Sequence, residues 1–177
     1  MRVSRSKLLG MGTALAAFGP SLLGPLVVSA ESADPSDLML LEMALAAERA
    51  GIKAYEAAAA TKLLTPAVTA IATGFMMDHI AHRDALIGAI KAAGATPSDK
   101  VGPLDVPPLK SQHDILLFAE TVERGAATAY LTSIPAFKDR MLAKVAGSIL
   151  GVETTHVALL AFTLKEGAEP YKAHFVS

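Results

Sequence analysis

One short pattern occurs twice in this chain and constrains its fold more than any other feature. A glutamate followed directly by arginine, with a tyrosine seven places after the glutamate, occurs at Glu48 and Tyr55 and again at Glu123 and Tyr130, 75 residues later. A spacing of seven is two helical turns, so each glutamate lies on the same helix face as its tyrosine. The repeat indicates two equivalent helices.

A second pattern repeats at an offset of 74 residues. His79 and His82 are three residues apart, and the equivalent later positions hold Glu153 and His156. Residues at i and i+3 project from one side of a helix within ~5–6 Å, so each pair can hold one ion. Four-helix bundles with two metal ions in the core use a lone Glu from each of two helices and a Glu-x-x-His from each of the others. The chain has five of those six residue types, and His79 is the exception.

Composition and capping residues predict four helices. The chain is 52% hydrophobic, largely Ala and Leu, and only 5% aromatic, which favours helices over sheet. Capping Ser, Thr or Asp, Pro in the first turn and a terminating Gly mark the helix ends. The predicted helices run from Asp34 to about Leu64, from Thr65 to Ala93, from Ser111 to before Pro135, and from Pro135 to before Gly167.

The longest connection predicts the topology. Gly94 to Lys110 is 17 residues rich in Gly, Pro, Ser and Asp. At ~3.3 Å per residue it can span roughly 56 Å, whereas a helix of ~28 residues is about 42 Å long. The segment is long enough to cross the whole bundle. We therefore predict an all-α four-helix bundle with one long crossover between its second and third helices.

The candidate ligands lie inside apolar stripes of the predicted helices. Glu48, for example, falls between Leu45 and Ile52 at helical spacing. A carboxylate at such a position costs several kcal/mol unless it is paired or bound to metal, an order of magnitude set by desolvation. Two interpretations remain open. One is a metal centre, and the other is a buried network of salt bridges and hydrogen bonds in a bundle that has lost its metal.

The first thirty residues resemble an export signal. Basic residues precede an apolar stretch from Leu8 to Val28, which ends in small residues that suit cleavage after Ala30. The sequence around Arg5 resembles a twin-arginine signal with Ser6 in place of the second arginine, so the secretory and twin-arginine routes both remain open. We expect a periplasmic or secreted protein with a signal peptide at residues 1–30, a bundle at 31–167 and a tail at 168–177.

Charge and cysteine content exclude several classes of protein. Removal of the three basic residues of the signal leaves 13 basic and 17 acidic residues, a formal charge of 13 − 17 = −4. Nucleic-acid binding, which needs a basic face, is not expected. No apolar segment of bilayer length is expected after the first thirty residues, hence no stable membrane insertion after cleavage. The chain has no Cys, so packing or bound metal must stabilise the exported fold.

These residues resemble the ferritin-like superfamily, in particular its exported ferritin-like domain proteins from bacteria. The resemblance covers residues 37 to about 166. It implies that the lone glutamates are terminal ligands and that His79 stands where the family has a bridging Glu. The metal ligands that it implies are Glu48, His79, His82, Glu123, Glu153 and His156.

His79 in place of a bridging Glu changes the expected chemistry. A carboxylate can bridge two cations, whereas an imidazole normally binds one metal through one nitrogen. The site can then hold one tightly bound metal, an asymmetric pair, or a nitrogen-rich set that favours Zn or Cu over Fe. Asp78 is an alternative ligand, although it lies ~100° around the helix from His79.

Three further residues lie close to the pattern. Tyr55 and Tyr130 can donate hydrogen bonds to the ligands, but we expect them to be core aromatic residues with satisfied hydroxyl groups. Glu120 lies one turn before Glu123. It either orients a histidine or faces solvent, and both interpretations remain open.

The resemblance implies two divalent metal ions, iron or manganese, with zinc or copper as alternatives because of His79. A dinuclear iron or manganese centre implies ferroxidase-like metal oxidation, or chemistry with dioxygen or peroxide. A second hypothesis is a non-enzymatic metal-binding or stress-protective bundle, and a third is a structural bundle with a vestigial site. Compared with a bridging glutamate, His79 adds weight to the second hypothesis relative to the first. A homodimer is the expected oligomer, since symmetric oligomers are common.

Overall fold

The computed structural model describes residues 34–164, which form a bundle of four long helices. The 34–164 range contains no strand, so the all-α prediction is confirmed. The predicted signal peptide and tail lie outside it. The helices are α1 (Pro35–Ala60), α2 (Pro66–Ala92), α3 (Gln112–Ser133) and α4 (Arg140–Leu164), with a short 3-10 helix at Ile134–Ala136.

The first helix is shorter than predicted. It ends at Ala60, four residues before Leu64, because Lys62 adopts a positive φ of 58° that a right-handed helix cannot contain. The Thr61 hydroxyl donates to the Ala58 carbonyl at 2.7 Å and closes the last turn. At the other end, the predicted cap is confirmed, since Asp34 Oδ1 accepts from Ser36 N at 2.9 Å.

The fourth helix begins later than predicted, at Arg140 and not at Pro135. Pro135 lies in the 3-10 helix that follows α3. Asp139 then caps α4, because its Oδ1 accepts from Met141 N at 2.7 Å. The proline thus begins a separate turn, and the prediction overlooked the acidic cap that follows it.

Asp37 joins the start of α1 to the turn before α4. Its side chain is 2% exposed, and its two carboxylate oxygens accept from Lys138 N and Asp139 N, each at 2.9 Å. Buried backbone N–H groups need an acceptor, and a carboxylate is a strong one. Asp37 therefore fixes the point at which the chain enters α4.

The crossover predicted from the loop length is confirmed. Thr65 N, just before α2, donates to Gln112 Oε1 at the start of α3 at 2.8 Å, so these two helices begin at the same end. The chain between them, residues 93–111, therefore runs the length of the bundle. Each of the pairs α1–α2 and α3–α4 is antiparallel across a short connection.

The crossover is fixed to the outer face of α1. Ser98 N lies 3.1 Å from both carboxylate oxygens of Glu42, and the Arg49 guanidinium donates to the Ser98 carbonyl. Gly102 N donates to the Ala46 carbonyl at 2.7 Å, and a Cβ at Gly102 would lie 2.9 Å from that oxygen. Only glycine permits this approach to the helix backbone.

Two apolar clusters close the ends of the bundle core. Burial of a large apolar side chain contributes ~1.5–3 kcal/mol, so these clusters supply much of the stability. The candidate ligands lie between them. One cluster is Leu41, Leu45, Leu86, Ala89, Ile90 and Leu142, and the other is Tyr55, Phe75, Leu116, Ala119 and Leu160.

Helix α4 corrects one expectation from the sequence. By length and composition it is apolar enough to cross a membrane, although we expected no such segment after the first thirty residues. The core helix of a bundle passes the same test. Here α4 buries Leu142, Ile149 and Leu160 and also carries Glu153 and His156 on its inner face. In this structure α4 has the position of a core helix.

Loss of the Asp37 carboxylate should destabilise the fold. Asp37→Ala should lower the free energy of unfolding by about 3 kcal/mol, because two buried N–H groups lose their acceptor. Asp37→Asn should cost less, since its amide oxygen still accepts one hydrogen bond. Urea unfolding followed by circular dichroism gives both values. Asp84→Ala is the control, because that carboxylate is exposed and pairs with Arg83. Equal losses at positions 37 and 84 would contradict this account.

Candidate metal centre

The structure brings together all six residues that the sequence singles out. Each helix contributes from its inner face, and each side chain is buried, with between 0% and 6% of its surface exposed. Glu48 comes from α1, His79 and His82 from α2, Glu123 from α3, and Glu153 and His156 from α4.

These residues form two overlapping groups, each with ligand atoms that lie within 4.8 Å of one another. Glu48 and His82 belong to the first group and Glu123 and His156 to the second, while His79 and Glu153 belong to both. Ligand atoms on opposite sides of an ion lie roughly 4 Å apart when each is ~2.1 Å from it. The groups therefore have the dimensions of two adjacent metal sites.

The first group is built around His82. Its Nδ1 lies 3.0 Å from Glu153 Oε1 and 3.5 Å from Glu48 Oε1. The His79 Nδ1 lies 2.7 Å from Glu48 Oε2 and forms a hydrogen bond with it. Two imidazoles and two carboxylates thus converge from α1, α2 and α4.

The second group is built around His156. Its Nδ1 lies 3.2 Å from Glu123 Oε2 and 3.7 Å from Glu153 Oε2. The other nitrogen of His79, Nε2, lies 3.3 Å from Glu123 Oε1. His79 therefore lies between the two lone glutamates, with one ring nitrogen directed at each.

Three buried atoms at the centre have no hydrogen-bond partner among the described residues. They are His82 Nδ1 and both carboxylate oxygens of Glu153. His82 Nδ1 and Glu153 Oε1 are close, but their angles do not form a hydrogen bond. A buried acceptor without a donor is costly. One Glu153 oxygen is near His82 and the other is near His156, so the residues present fit bound cations, and Glu153 could contribute to both groups.

The two tyrosines support the glutamates of the opposite helix. The Tyr55 hydroxyl, on α1, donates to Glu123 Oε1, and the Tyr130 hydroxyl, on α3, donates to Glu48 Oε1. Both tyrosines are core residues as predicted. Their hydroxyl groups, however, are satisfied by the candidate ligands, which the sequence interpretation considered the lesser alternative. The spacing of seven residues explains the crossed pairing, because α1 and α3 run antiparallel.

Asp78 is not one of the candidate ligands in the two groups, but it contacts one of them, His156. Its Oδ2 lies 3.1 Å from His156 Nε2, and its side chain is half exposed. This contact holds Nε2 on the outer side and leaves Nδ1 directed at Glu123 and Glu153. Phe75 also stacks on the His156 ring, with ring centroids 3.8 Å apart. The position of His156 is therefore fixed on two sides.

Glu120 follows neither of its predicted roles. It is buried and forms an ion pair with Arg124, one turn later on α3. No histidine among the described residues is its hydrogen-bond partner, and it does not face solvent. Its carboxylate balances a charge beside the centre.

The histidines are basic because carboxylates surround them. Burial disfavours the imidazolium form, but Glu153 and Glu48 outweigh it and raise the pKa of His82 to about 9. Against the same effect of burial, Glu123 and Glu153 raise the pKa of His156 to about 9. The pKa of His79 also lies well above its usual value. The buried carboxylates thus favour the imidazolium forms of all three histidines.

The pKa values of the three carboxyl groups shift in different directions. Burial raises the pKa of each, but the neighbouring histidines outweigh it at Glu48 and Glu123, whose pKa values fall below the usual range. At Glu153 burial outweighs its histidine neighbours and raises the pKa. Burial together with an adjacent carboxylate raises the pKa of Tyr55 and Tyr130 well above the usual value, so both hydroxyl groups stay protonated. Glu153 is thus the carboxyl group that gains most from a cation.

One residue of the centre was missed by the sequence interpretation. Gly51, one turn after Glu48, lies against the His79 ring. The sequence signal that could have identified it is a glycine in the middle of a helix, one turn from a candidate ligand. Glycine at such a position costs about 0.5–1 kcal/mol relative to alanine. Its lack of a side chain makes room for the ring.

A groove leads from the surface towards the centre between α1 and α3. It has a volume of about 930 Å³, and the crossover at Pro103 to Pro108 forms part of its wall. Gly51 and His79 are among the residues that line it. The groove therefore reaches the side of the centre where Gly51 contacts His79.

The comparisons with known proteins agree with this fold. Residues 36–166 match the family described as Ferritin-like domain. No curated protein sequence matches the chain. A conserved hypothetical protein from Mycobacterium tuberculosis has a similar structure, with a TM-score of 0.67 and 23% identity, and the match covers 75% of this chain and 92% of that one.

Two other solved structures share the fold. A ferritin-like, diiron-carboxylate protein from Bacillus anthracis has a TM-score of 0.61 and 22% identity, over 72% of this chain and 94% of that one. The bacterioferritin of Rhodobacter capsulatus, described with a metal-free dinuclear site and a heme iron, has a TM-score of 0.66 and 18% identity, over 75% and 86%. With the family match over residues 36–166, these findings show that the chain belongs to the ferritin-like family.

Proposed function

We propose that this protein is exported, binds two divalent metal ions, iron or manganese, and uses them in metal oxidation or in chemistry with dioxygen or peroxide. The observation that carries the proposal is the position of Glu153. Its two buried oxygens have no hydrogen-bond partner within residues 34–164 and face two separate groups of candidate ligands. The Bacillus anthracis relative is described as a diiron-carboxylate protein, which supports iron.

In this proposal Glu153, which belongs to both groups, would help to hold both ions. Glu48 and His82 would bind on one side of it, and Glu123 and His156 on the other. Asp78 would hold His156 in position through its outer ring nitrogen. A bound pair of iron or manganese ions would supply one-electron redox chemistry and polarise an oxygen-containing substrate.

The surrounding residues control protons and water. Tyr55 and Tyr130 keep their protons and orient Glu123 and Glu48 through hydrogen bonds. The apolar clusters above and below exclude water, which strengthens electrostatic interactions within the centre. The groove past Gly51 offers a path for a small substrate such as dioxygen or peroxide.

A second candidate function is metal binding without catalysis, with a single ion or zinc or copper in place of iron. The His79 ring favours it, because that ring forms hydrogen bonds with both Glu48 and Glu123. Three carboxylates against two divalent cations leave a charge of 4 − 3 = +1 in a buried core, which weakens retention of the second ion. Imidazole nitrogen also suits zinc and copper.

The export and assembly parts of the proposal rest on sequence. The apolar segment at Leu8 to Val28, with small residues up to Ala30, suits an exported protein in the periplasm or outside the cell. A homodimer is the proposed oligomer. Exposed Met39 and Met43 on α1 offer apolar surface for such a contact.

Removal of a central ligand should abolish metal binding. Glu153→Ala and His156→Ala should each weaken metal affinity by about 100-fold or more, since each removes a buried ligand atom. Elemental analysis of the purified protein gives the metal identity and the number of ions per chain. Exposed Glu56 and His113 provide the matched controls, Glu56→Ala and His113→Ala, which should keep the wild-type content. Unchanged metal in the two ligand variants would refute the site.

Restoration of the fourth carboxylate should strengthen the dinuclear centre. His79→Glu should raise iron content towards two per chain and speed oxidation of ferrous iron, because the added carboxylate neutralises the remaining positive charge. Iron content and the rate of ferrous iron loss in air measure the two effects. His79→Gln is the control, since glutamine has the shape of glutamate without its charge. Equal behaviour of the Glu and Gln variants would show that charge is not the limiting factor.

The exported protein should begin at Glu31. Mass spectrometry of the protein from the periplasm or medium should give the mass of residues 31–177, because cleavage is expected after Ala30. Ala30→Leu should block cleavage by placing a bulky residue at the site, whereas Ala33→Leu should not. Recovery of the full-length chain from the cytoplasm alone would refute export.

A further inference from the structure

Gly51 and His79 are in closer contact than any larger residue at position 51 would allow. A Cβ built on Gly51 would lie 2.8 Å from Cε1 of the His79 ring and 2.9 Å from each of its nitrogens. Ordinary contacts between heavy atoms are ~3.5–4.0 Å. A methyl group at position 51 therefore demands a shift of about 0.7 Å or more in the ring or the helix.

The missing Cβ lies over the face of the ring and not at its edge. Its distances to the three ring atoms are nearly equal, which an approach from the edge of the ring cannot give. The nitrogen lone-pair and N–H directions lie in the ring plane, towards Glu48 Oε2 and Glu123 Oε1. Gly51 thus sets the ring plane and leaves both nitrogens free to contact the glutamates.

The ring has little freedom to yield. His79 is 1% exposed, and each of its nitrogens contacts a glutamate that a tyrosine holds in place. Distances from a metal ion to its ligands must be correct within ±0.2 Å, roughly a third of the ~0.7 Å shift that a methyl group requires. A displaced ring would therefore disturb both glutamates and any ion bound beside them.

The internal repeat provides a comparison within the same chain. At an offset of 75 residues, Gly51 of α1 corresponds to Ala126 of α3, and at 74, His79 of α2 corresponds to Glu153 of α4. The second half, which has Glu153, has alanine at the position equivalent to Gly51. The first half, which has His79, has glycine there. The two differences occur together, as expected if the ring requires the glycine.

We propose that Gly51 is the positioning residue that admits an imidazole at position 79. Its bare Cα gives the ring a flat surface on α1, which directs one nitrogen at each lone glutamate. The pair Gly51 and His79 forms one unit, and alanine at 51 is compatible with glutamate but not with histidine at 79. The consequence for metal binding rests on the proposed function, whereas the steric unit does not.

A double-mutant cycle on metal-free protein tests the steric unit. Gly51→Ala should lower Tm by about 5 °C or more in the wild-type background, because it overpacks a fixed ring. In the His79→Glu background the same change should shift Tm by less than about 2 °C, because the clash is absent. Equal losses in both backgrounds would overturn the proposal.

Two further variants keep the test decisive. Gly125→Ala, on α3, is the matched control: a Cβ there meets no atom within 4 Å, so Tm should stay constant or rise with the better helix propensity of alanine. A Gly51→Ala protein that does not fold is tested in the His79→Ala background, where the ring is gone. Recovery of the fold there supports the proposal, and continued failure to fold overturns it.

Titration with cobalt(II) tests the consequence for metal binding. Its visible absorption reports the ligand geometry, and Gly51→Ala should change that spectrum and weaken binding by about 10-fold or more, whereas Gly125→Ala should not. A wild-type protein that binds no cobalt, iron, manganese, zinc or copper would overturn the proposed function but not the steric unit, which the Tm cycle decides. An unchanged cobalt spectrum in Gly51→Ala would overturn the positioning role.

Discussion

Three carboxylates and three imidazoles share the buried centre of this bundle, and the surrounding helices hold them there. Each lone glutamate would be costly in an apolar core, yet each receives a tyrosine hydroxyl from the opposite helix and a nitrogen of His79. Apolar clusters lie above and below these candidate ligands. The helices are therefore positioned by polar contacts in the centre as well as by hydrophobic packing at the ends.

The two halves of the chain form a repeat, but a few equivalent positions in the centre hold residues of different chemical type. Glu48 and Glu123 are equivalent, and Tyr55 and Tyr130 support them in the same crossed manner. The equivalence ends at positions 79 and 153, because the first half has a histidine where the second half has a glutamate. It also ends at Asp78, which holds His156 from outside, whereas Val152 stands at the equivalent place beside the fourth-helix pair. The two groups of ligands are thus unequally supported.

Most of the fold and all six central residues could be predicted from sequence, because helical period, caps and the i, i+3 spacing are local properties. The long loop also predicted the crossover, since its length can be compared directly with that of a helix. Asp139 as the start of α4 was missed, because a proline is a stronger local signal than an acidic cap. The crossed tyrosine bonds and the Gly51 contact join different helices, and no local pattern specifies which hydroxyl or which ring lies opposite.

The unequal halves determine what kind of centre this scaffold can hold. Glu153 has an oxygen free for each group, but His79, as a neutral imidazole, can give a lone pair to only one ion. The His79 Nδ1 is closer to Glu48 than its Nε2 is to Glu123, and Phe75 stacks on the ring of His156. Under the proposed function, the ring would compete with an ion for both lone glutamates. The fold brings two groups of candidate ligand atoms together, and His79, which packs against Gly51, makes the two groups unequal.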